Sequence, residues 1–186
     1  MELQTSQLTT FIDQIGKSLT SGKQKAAQEL NATILKTYWE IGKHIVECEQ
    51  NEGEKVEVGT AIYSALANEL TNAYGKIFDD DNIGAMRKLY LSFQMSGALS
   101  FKLTWSHYLE ILKSNSSLEI GFYTLQAEME GWSVEELNRQ ISQKLFERLT
   151  QSNDKLAVLQ EVSNGQMAKK TENLFLDQHV QAFMNS

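Results

Sequence analysis

LTWSHYLEILK, residues 103–113, sets a Trp, a Ser and a His side by side where an apolar helical pattern begins. It is either a catalytic cluster or the first turn of a packed helix. Neighbouring residues on an α-helix point about 100° apart. Ser106 and His107 therefore cannot easily share a nucleophile–base hydrogen bond, and no G-x-S-x-G elbow surrounds the serine. The helix-start reading fits better, with Thr104 or Ser106 as N-cap and His107 as a partly buried hydrogen-bonding side chain. A second Trp-Ser pair, Trp132-Ser133, precedes Glu136 in the S-x-x-E spacing of a capping box. Both pairs read as an aromatic ahead of a hydroxyl cap, which makes this an all-helical chain.

The rest of the sequence extends that reading. It has 186 residues, 41% hydrophobic and 22% charged, enough for one domain with a real core. It contains no proline, where average usage of about 5% would supply roughly nine, so no interior N–H is removed from a helical ladder. Apolar spacing predicts a helix over 5–20, with Leu8, Phe11, Ile12, Ile15 and Leu19 on one stripe, and a break at Ser21-Gly22-Lys23. A long helix follows over about 25–48, buried through Leu30, Ile34, Tyr38, Ile41 and Ile45 and widened by Trp39 and Val46.

After an acidic loop come helices over 60–74 (Ile62, Leu66 and Leu70 inward, Gly75 as stop) and 80–94 (Ile83, Met86, Tyr90 and Phe93 inward). Residues 95–103 read as a turn with room for a short wing or hairpin. Helices over 104–113, 117–130 and 133–149 complete the set. Leu118, Phe122, Leu125 and Met129 are expected inside the sixth, and Leu137, Ile141, Leu145 and Leu149 along the seventh. The pattern weakens beyond Thr150. The expected fold is all-α, a compact multi-helix domain with a possible helix-turn-helix-like unit. Trp39, Trp105 and Trp132 lock the scaffold.

Several chemistries drop out on residue type and spacing. His44 and Cys48 lie i, i+4 on one helix, but zinc needs three or four ligands and nothing supplies the rest. Asp79-Asp80-Asp81-Asn82-Ile83-Gly84 fails as a calcium loop at Ile83 and Tyr90, and reads instead as an acidic helix start. There is no phosphate loop and no dinucleotide fingerprint. The run Glu47, Glu49, Glu52, Glu54, Glu57 reads as a solvated loop. No catalytic residue, metal site or cofactor is expected. The single cysteine, the lack of an apolar leader and the lack of a membrane-length apolar run fit a cytoplasmic protein with no membrane partner. Net charge is −7 with three arginines, so a duplex-binding surface would have to be a local patch.

The motifs in order resemble a known family. Tyr38-Trp39-Glu40-Ile41-Gly42 is similar to the "YWEIG" signature in the N-terminal domain of the YhcG family, predicted restriction-endonuclease-like nucleases of the PD-(D/E)XK class. Ala73 to Phe78, then Asn82, Ile83, Met86, Arg87 and Tyr90, resembles its "YGKGFSxxNLxxMRxFY". Leu103 to His107 resembles "LSWSH", and Phe122-Tyr123 its "FY". Trp132-Ser133-Val134 with Leu137 and Arg139-Gln140-Ile141 resembles "WSVRELxRQI", and Phe146 to Leu149 its "YERL".

The resemblance implies a helical N-terminal extension over 1–30, the family domain over 31–150, and a tail over 151–186 like the junction to a nuclease domain. That nuclease half is expected to be absent: no Asp or Glu is followed two positions later by the Lys that a PD-(D/E)XK site needs. Tyr38, Trp39, Gly42, Gly75, Tyr90, Trp105, Ser106, Trp132 and Ser133 are the motif residues expected to be structural. In the family the domain is thought to engage or target DNA. On that reading Asn82, Arg87 and Lys88 face DNA, Lys102 lies in a wing, and Arg139, Lys144 and Arg148 form a second basic face, with His107 also a candidate contact. The expected function is a non-catalytic DNA-binding or targeting module tied to restriction or DNA processing. The alternative is a protein-interaction, oligomerisation or regulatory module, its partner a nuclease subunit or a second copy. Residues 32–150 hold 11 Lys plus Arg against 17 Asp plus Glu, a net of −6.

Overall fold

One helix, α1, runs from Glu2 to Asn51 in the computed structural model, which describes residues 2–51, 56–94 and 99–154, and their side chains apart from 2–6, 51 and 56–64. The break expected at Ser21-Gly22-Lys23 does not occur. A glycine inside a helix costs about 1 kcal/mol, and only proline, at about 3, stops one outright. The two expected first helices are therefore one.

The remaining elements are α2 (Val56–Tyr74), a 3-10 turn (Lys76–Phe78), α3 (Asp80–Ser92), α4 (Trp105–Ile111), α5 (Ser117–Glu130), α6 (Val134–Ser142) and α7 (Leu145–Gln151). No strand occurs among the described residues: 99–103 of the expected wing form turns and bends, and 95–98 lie outside them. The side chain of Ile62, expected inward, and the tail beyond 154 also lie outside what is described. No helix among the described residues is long and apolar enough to cross a membrane.

The core forms where the C-terminal half of α1 meets α3 and α4. Ile34, Leu35, Tyr38, Ile45 and Val46 are buried on α1, and Ile83, Met86 and Leu89 on α3. The two helices approach so closely at Gly42 that a Cβ there would lie 2.0 Å from the Met86 carbonyl oxygen and 3.1 Å from Tyr90 Cβ. Aromatic edges close the crossing. Tyr38 meets Trp105 at 4.9 Å between ring centroids, and Trp39 meets Tyr90 at 5.1 Å, both edge-to-face. The Trp39 indole N–H donates to the Phe93 carbonyl, capping the end of α3.

Two further expectations change. The stripe Leu137, Ile141, Leu145, Leu149 does not lie on one helix. Lys144 takes a left-handed conformation (φ 54°) between α6 and α7, and Gln143 and Lys144 close the end of α6 with bonds to the Arg139 and Ile141 carbonyls. Leu145 and Leu149 still reach the core after the bend. On α5 the apolar set Leu118, Leu125 and Met129 faces outward, at 75%, 60% and 73% exposure, while Ile120, Tyr123, Thr124 and Ala127 are buried. Both sets have helical spacing, and the second carries the aromatic whose hydroxyl can reach the Gln140 carbonyl and the Phe146 N–H. Phe122 is half-buried against Tyr123 and Phe146.

Gly42→Ala should therefore cost more than about 2 kcal/mol in denaturant unfolding, since two backbones must separate. Gly84→Ala on α3, with nothing within 4 Å of the new methyl, should stabilise by about 0.5–1 kcal/mol through helix propensity.

Candidate functional site

The Trp-Ser-His stretch is a structural hub. Thr104 precedes α4 with extended backbone, and its N–H donates to His107 Nδ1 at 3.1 Å. The imidazole does here what a glutamate does in an ordinary capping box. With Nδ1 accepting, the ring proton sits on Nε2 and is donated to the Trp132 carbonyl at 3.0 Å. His107 is 1% exposed. It joins the start of α4 to the α5–α6 corner and lies too deep to meet nucleic acid, contrary to the expected DNA contact. Burial also exceeds the partial burial the sequence suggests.

Asn82, half-buried, is also committed to partners within the chain. Its N–H and side-chain amide both reach the Asp79 carboxylate that caps α3, and its Oδ1 accepts from the Trp105 indole at 2.9 Å. Asp79 is thus the cap of the acidic helix start. Asp80 and Asp81 are exposed in the first turn, where the helix dipole favours them.

The expected cationic contacts are scattered and engaged with acceptors. Arg87 forks onto Glu49 at 2.8, 2.9 and 3.0 Å, tying α3 to the end of α1. Glu49 therefore does not belong to a solvated loop. Arg139 grips Glu136 at 2.7 and 3.0 Å, and that bond raises the guanidinium's pKa further. Glu136 is 4% exposed, and its carboxylate also accepts from Gln140. Lys88 donates to Asn115, Lys102 pairs with Glu128 at 3.0 Å, and Lys144 pairs with Glu147 at 3.6 Å. Arg148, on α7, is half-buried.

Other motif residues take structural places: Gly75 has φ 95° at the end of α2, Ser133 caps α6 by accepting from the Glu136 N–H, and Ser106 is half-buried in the first turn of α4. Sequence reasoning missed Asn31. It is buried on the core face of α1 and donates to the carbonyls of Phe101 and Leu103 at 3.0 and 2.9 Å. A lone amide beside Leu30 within an apolar stripe was the available signal. Tyr108 was missed too. Its hydroxyl exchanges bonds with both Ser100 backbone groups, and burial pushes its pKa well above the ordinary value.

Among the described residues, no three of His, Cys, Asp and Glu gather as a metal cage would need. His44 pairs with Glu47, and Cys48 is exposed.

A profile of the family described as "DUF1016 N-terminal domain" matches residues 14–148. The chain belongs to that family. It is 31% identical over 173 aligned residues to the protein named "Putative nuclease YhcG" of Escherichia coli (strain K12), covering 76% of this chain and 46% of that protein. This chain thus spans about half the length of the curated relative it matches. No solved structure matches. The family's motif residues sit where the helices lock: Tyr38, Trp39 and Gly42 at the α1–α3–α4 crossing, Trp105 and His107 at the α4 hub.

His107→Ala leaves the Thr104 N–H and the Trp132 carbonyl without buried partners and should cost about 1–3 kcal/mol in thermal or denaturant unfolding. Glu128 accepts hydrogen bonds from Ser100 and Lys102, which lower its pKa. A carboxylate whose folded pKa is depressed stabilises the fold above its unfolded pKa, and the effect fades as pH falls through the folded one. Glu128→Gln should therefore be less stable than the parent at pH 7, with the gap closing as the pH falls through the acid range below the ordinary glutamate pKa.

Proposed function

We propose that this chain is a non-catalytic association domain of a YhcG-type nuclease system, and that its partner is protein rather than duplex DNA. One observation carries the reading. Two of the three arginines expected to grip phosphates are already held in two-pronged bonds by the chain's own carboxylates, Arg87 by Glu49 and Arg139 by Glu136. A phosphate would have to break a charge-assisted fork that is partly buried in each case. Asp80 and Asp81 at the start of α3 would meet a duplex with negative charge. The exposed surface is meanwhile rich in large apolar groups, on the N-terminal half of α1 and on α5, which suits a protein surface.

A second reading, DNA engagement, draws on the name of the Escherichia coli relative and on two exposed lysines. The side chains of Lys102 and Lys144 are 75% and 72% exposed, and surface pairs of this kind hold weakly enough for a phosphate to displace them.

A gel-shift titration at about 50 and about 200 mM salt separates the two, because binding through phosphates weakens steeply over that range. No shift at the lower salt is the expected result. A shift there that collapses at the higher salt would establish the DNA reading instead. Incubation with plasmid and Mg²⁺ or Mn²⁺ should leave the plasmid intact, and cleavage that persists through further purification would refute the non-catalytic assignment.

A further inference from the structure

Among the described residues, nothing packs on the N-terminal half of α1. Every described side chain from Gln7 to Ala26 is exposed, and burial begins only at Ala27. Leu8, Phe11, Ile12, Ile15 and Leu19 hold 58%, 60%, 58%, 47% and 62% of their surface in solvent. Four of them, Leu8, Ile12, Ile15 and Leu19, are spaced 4, 3 and 4 residues apart. That is the d-a-d-a spacing of a coiled-coil seam, which a second helix would fill. The arm is also a poor helix former by itself. Thr9, Thr10, Gly16, Ser18, Thr20, Ser21 and Gly22 all disfavour a solvated helix.

We infer that a second copy of this chain covers the seam, with the two α1 arms running antiparallel about a two-fold axis between residues 13 and 14. The argument is the order of the seam itself. Leu-Ile-Ile-Leu at spacings 4, 3, 4 reads the same in both directions, so the reversed copy sets Leu8 against the partner's Leu19 and Ile12 against the partner's Ile15. Each layer then pairs an a with a d position, as antiparallel helices require, and like side chain meets like. A parallel pair would instead stack Leu at one a layer and Ile at one d layer, an arrangement poorly suited to two strands. The closed two-fold leaves no part of the seam unfilled.

The size is adequate. The four seam side chains, with Phe11 flanking them at a g position, expose roughly 500 Å² of apolar surface per copy, so full burial in the pair would cover about 1,000 Å², the lower bound for a specific interface. Ala27, where each globular body begins, would lie about 40 Å from its counterpart at 1.5 Å per residue, so the bodies do not collide. The inference rests on the association reading above and names its partner.

Size-exclusion chromatography with light scattering from about 1 to about 200 µM tests it. The expected result is a species of twice the 21.1 kDa protomer mass that dissociates on dilution. Ile12→Glu with Ile15→Glu should abolish it, with unfolding temperature and helical circular dichroism of the globular body retained. Orientation is read by oxidation in a Cys48→Ser background. Leu8→Cys and Leu19→Cys chains should cross-link when mixed, and neither should cross-link alone.

A monomer at the highest concentration overturns the inference. So does a dimer that survives the double Glu variant, which would place the contact elsewhere, for instance on Leu118, Leu125 and Met129. Cross-linking of Leu8→Cys alone would refute the antiparallel order. A monomer that gives no gel shift sinks this inference and leaves the association reading standing with another partner. A salt-sensitive shift by a dimer does the reverse.

Discussion

The architecture depends on the closeness of two backbones. With hydrogen alone at Gly42, α3 comes within van der Waals reach of α1, and Tyr38 and Trp39 on the same stretch of α1 then close against Trp105 and Tyr90. Any side chain at position 42 would lift α3 off its seat. It would also separate the two aromatic pairs and pull the Trp39 indole from the carbonyl that ends α3. Short motifs of this kind are often read as catalytic signatures. Here the five residues from Tyr38 to Gly42 work as a joint, with large rings for area and one glycine for approach.

Helix identity and the positions of most core residues were legible because they follow from spacing and from the absence of proline. Ile34, Tyr38, Ile83, Met86 and Leu137 are as buried as their period demands. What could not be read were features set by a contact from outside the segment. Nothing local tells whether Ser21-Gly22-Lys23 ends a helix, because the glycine penalty is small beside the continuing ladder on both sides. Lys144 adopts φ 54° although lysine has no preference for it, and the seating of Leu145 and Leu149 in the core accompanies that bend. On α5 two stripes satisfy one period, and only the reach of Tyr123 to α6 and α7 separates inside from outside.

The candidate site was legible in residue type and not in role. Three of the polar residues singled out for nucleic acid hold separate parts of the fold together. Asn82 bridges Asp79 and the Trp105 indole, His107 bridges Thr104 and Trp132, and Arg87 bridges α3 to Glu49. The physical reason is common to all three. A group inside or at the edge of the core loses water, and leaving it without a partner costs more than a hydrogen bond returns. Sequence gives the donor and the acceptor separately, 38 positions apart for Arg87 and Glu49, and only the fold brings them together.

Charge that is spent inward changes what the outside can do. An arginine already gripped by a carboxylate presents little field to an approaching duplex, and the chain's excess of acid makes that field negative overall. The apolar surface has the opposite character. On α1 it lies on a helix whose other half is anchored in the core, so the nucleation cost of helix formation has already been met within the same element. The arm therefore needs only packing partners along one face. A single element thus serves twice: Ile34 to Val46 build the globular body, and Leu8 to Leu19 project from it as a seam that, by its order, fits its own reverse.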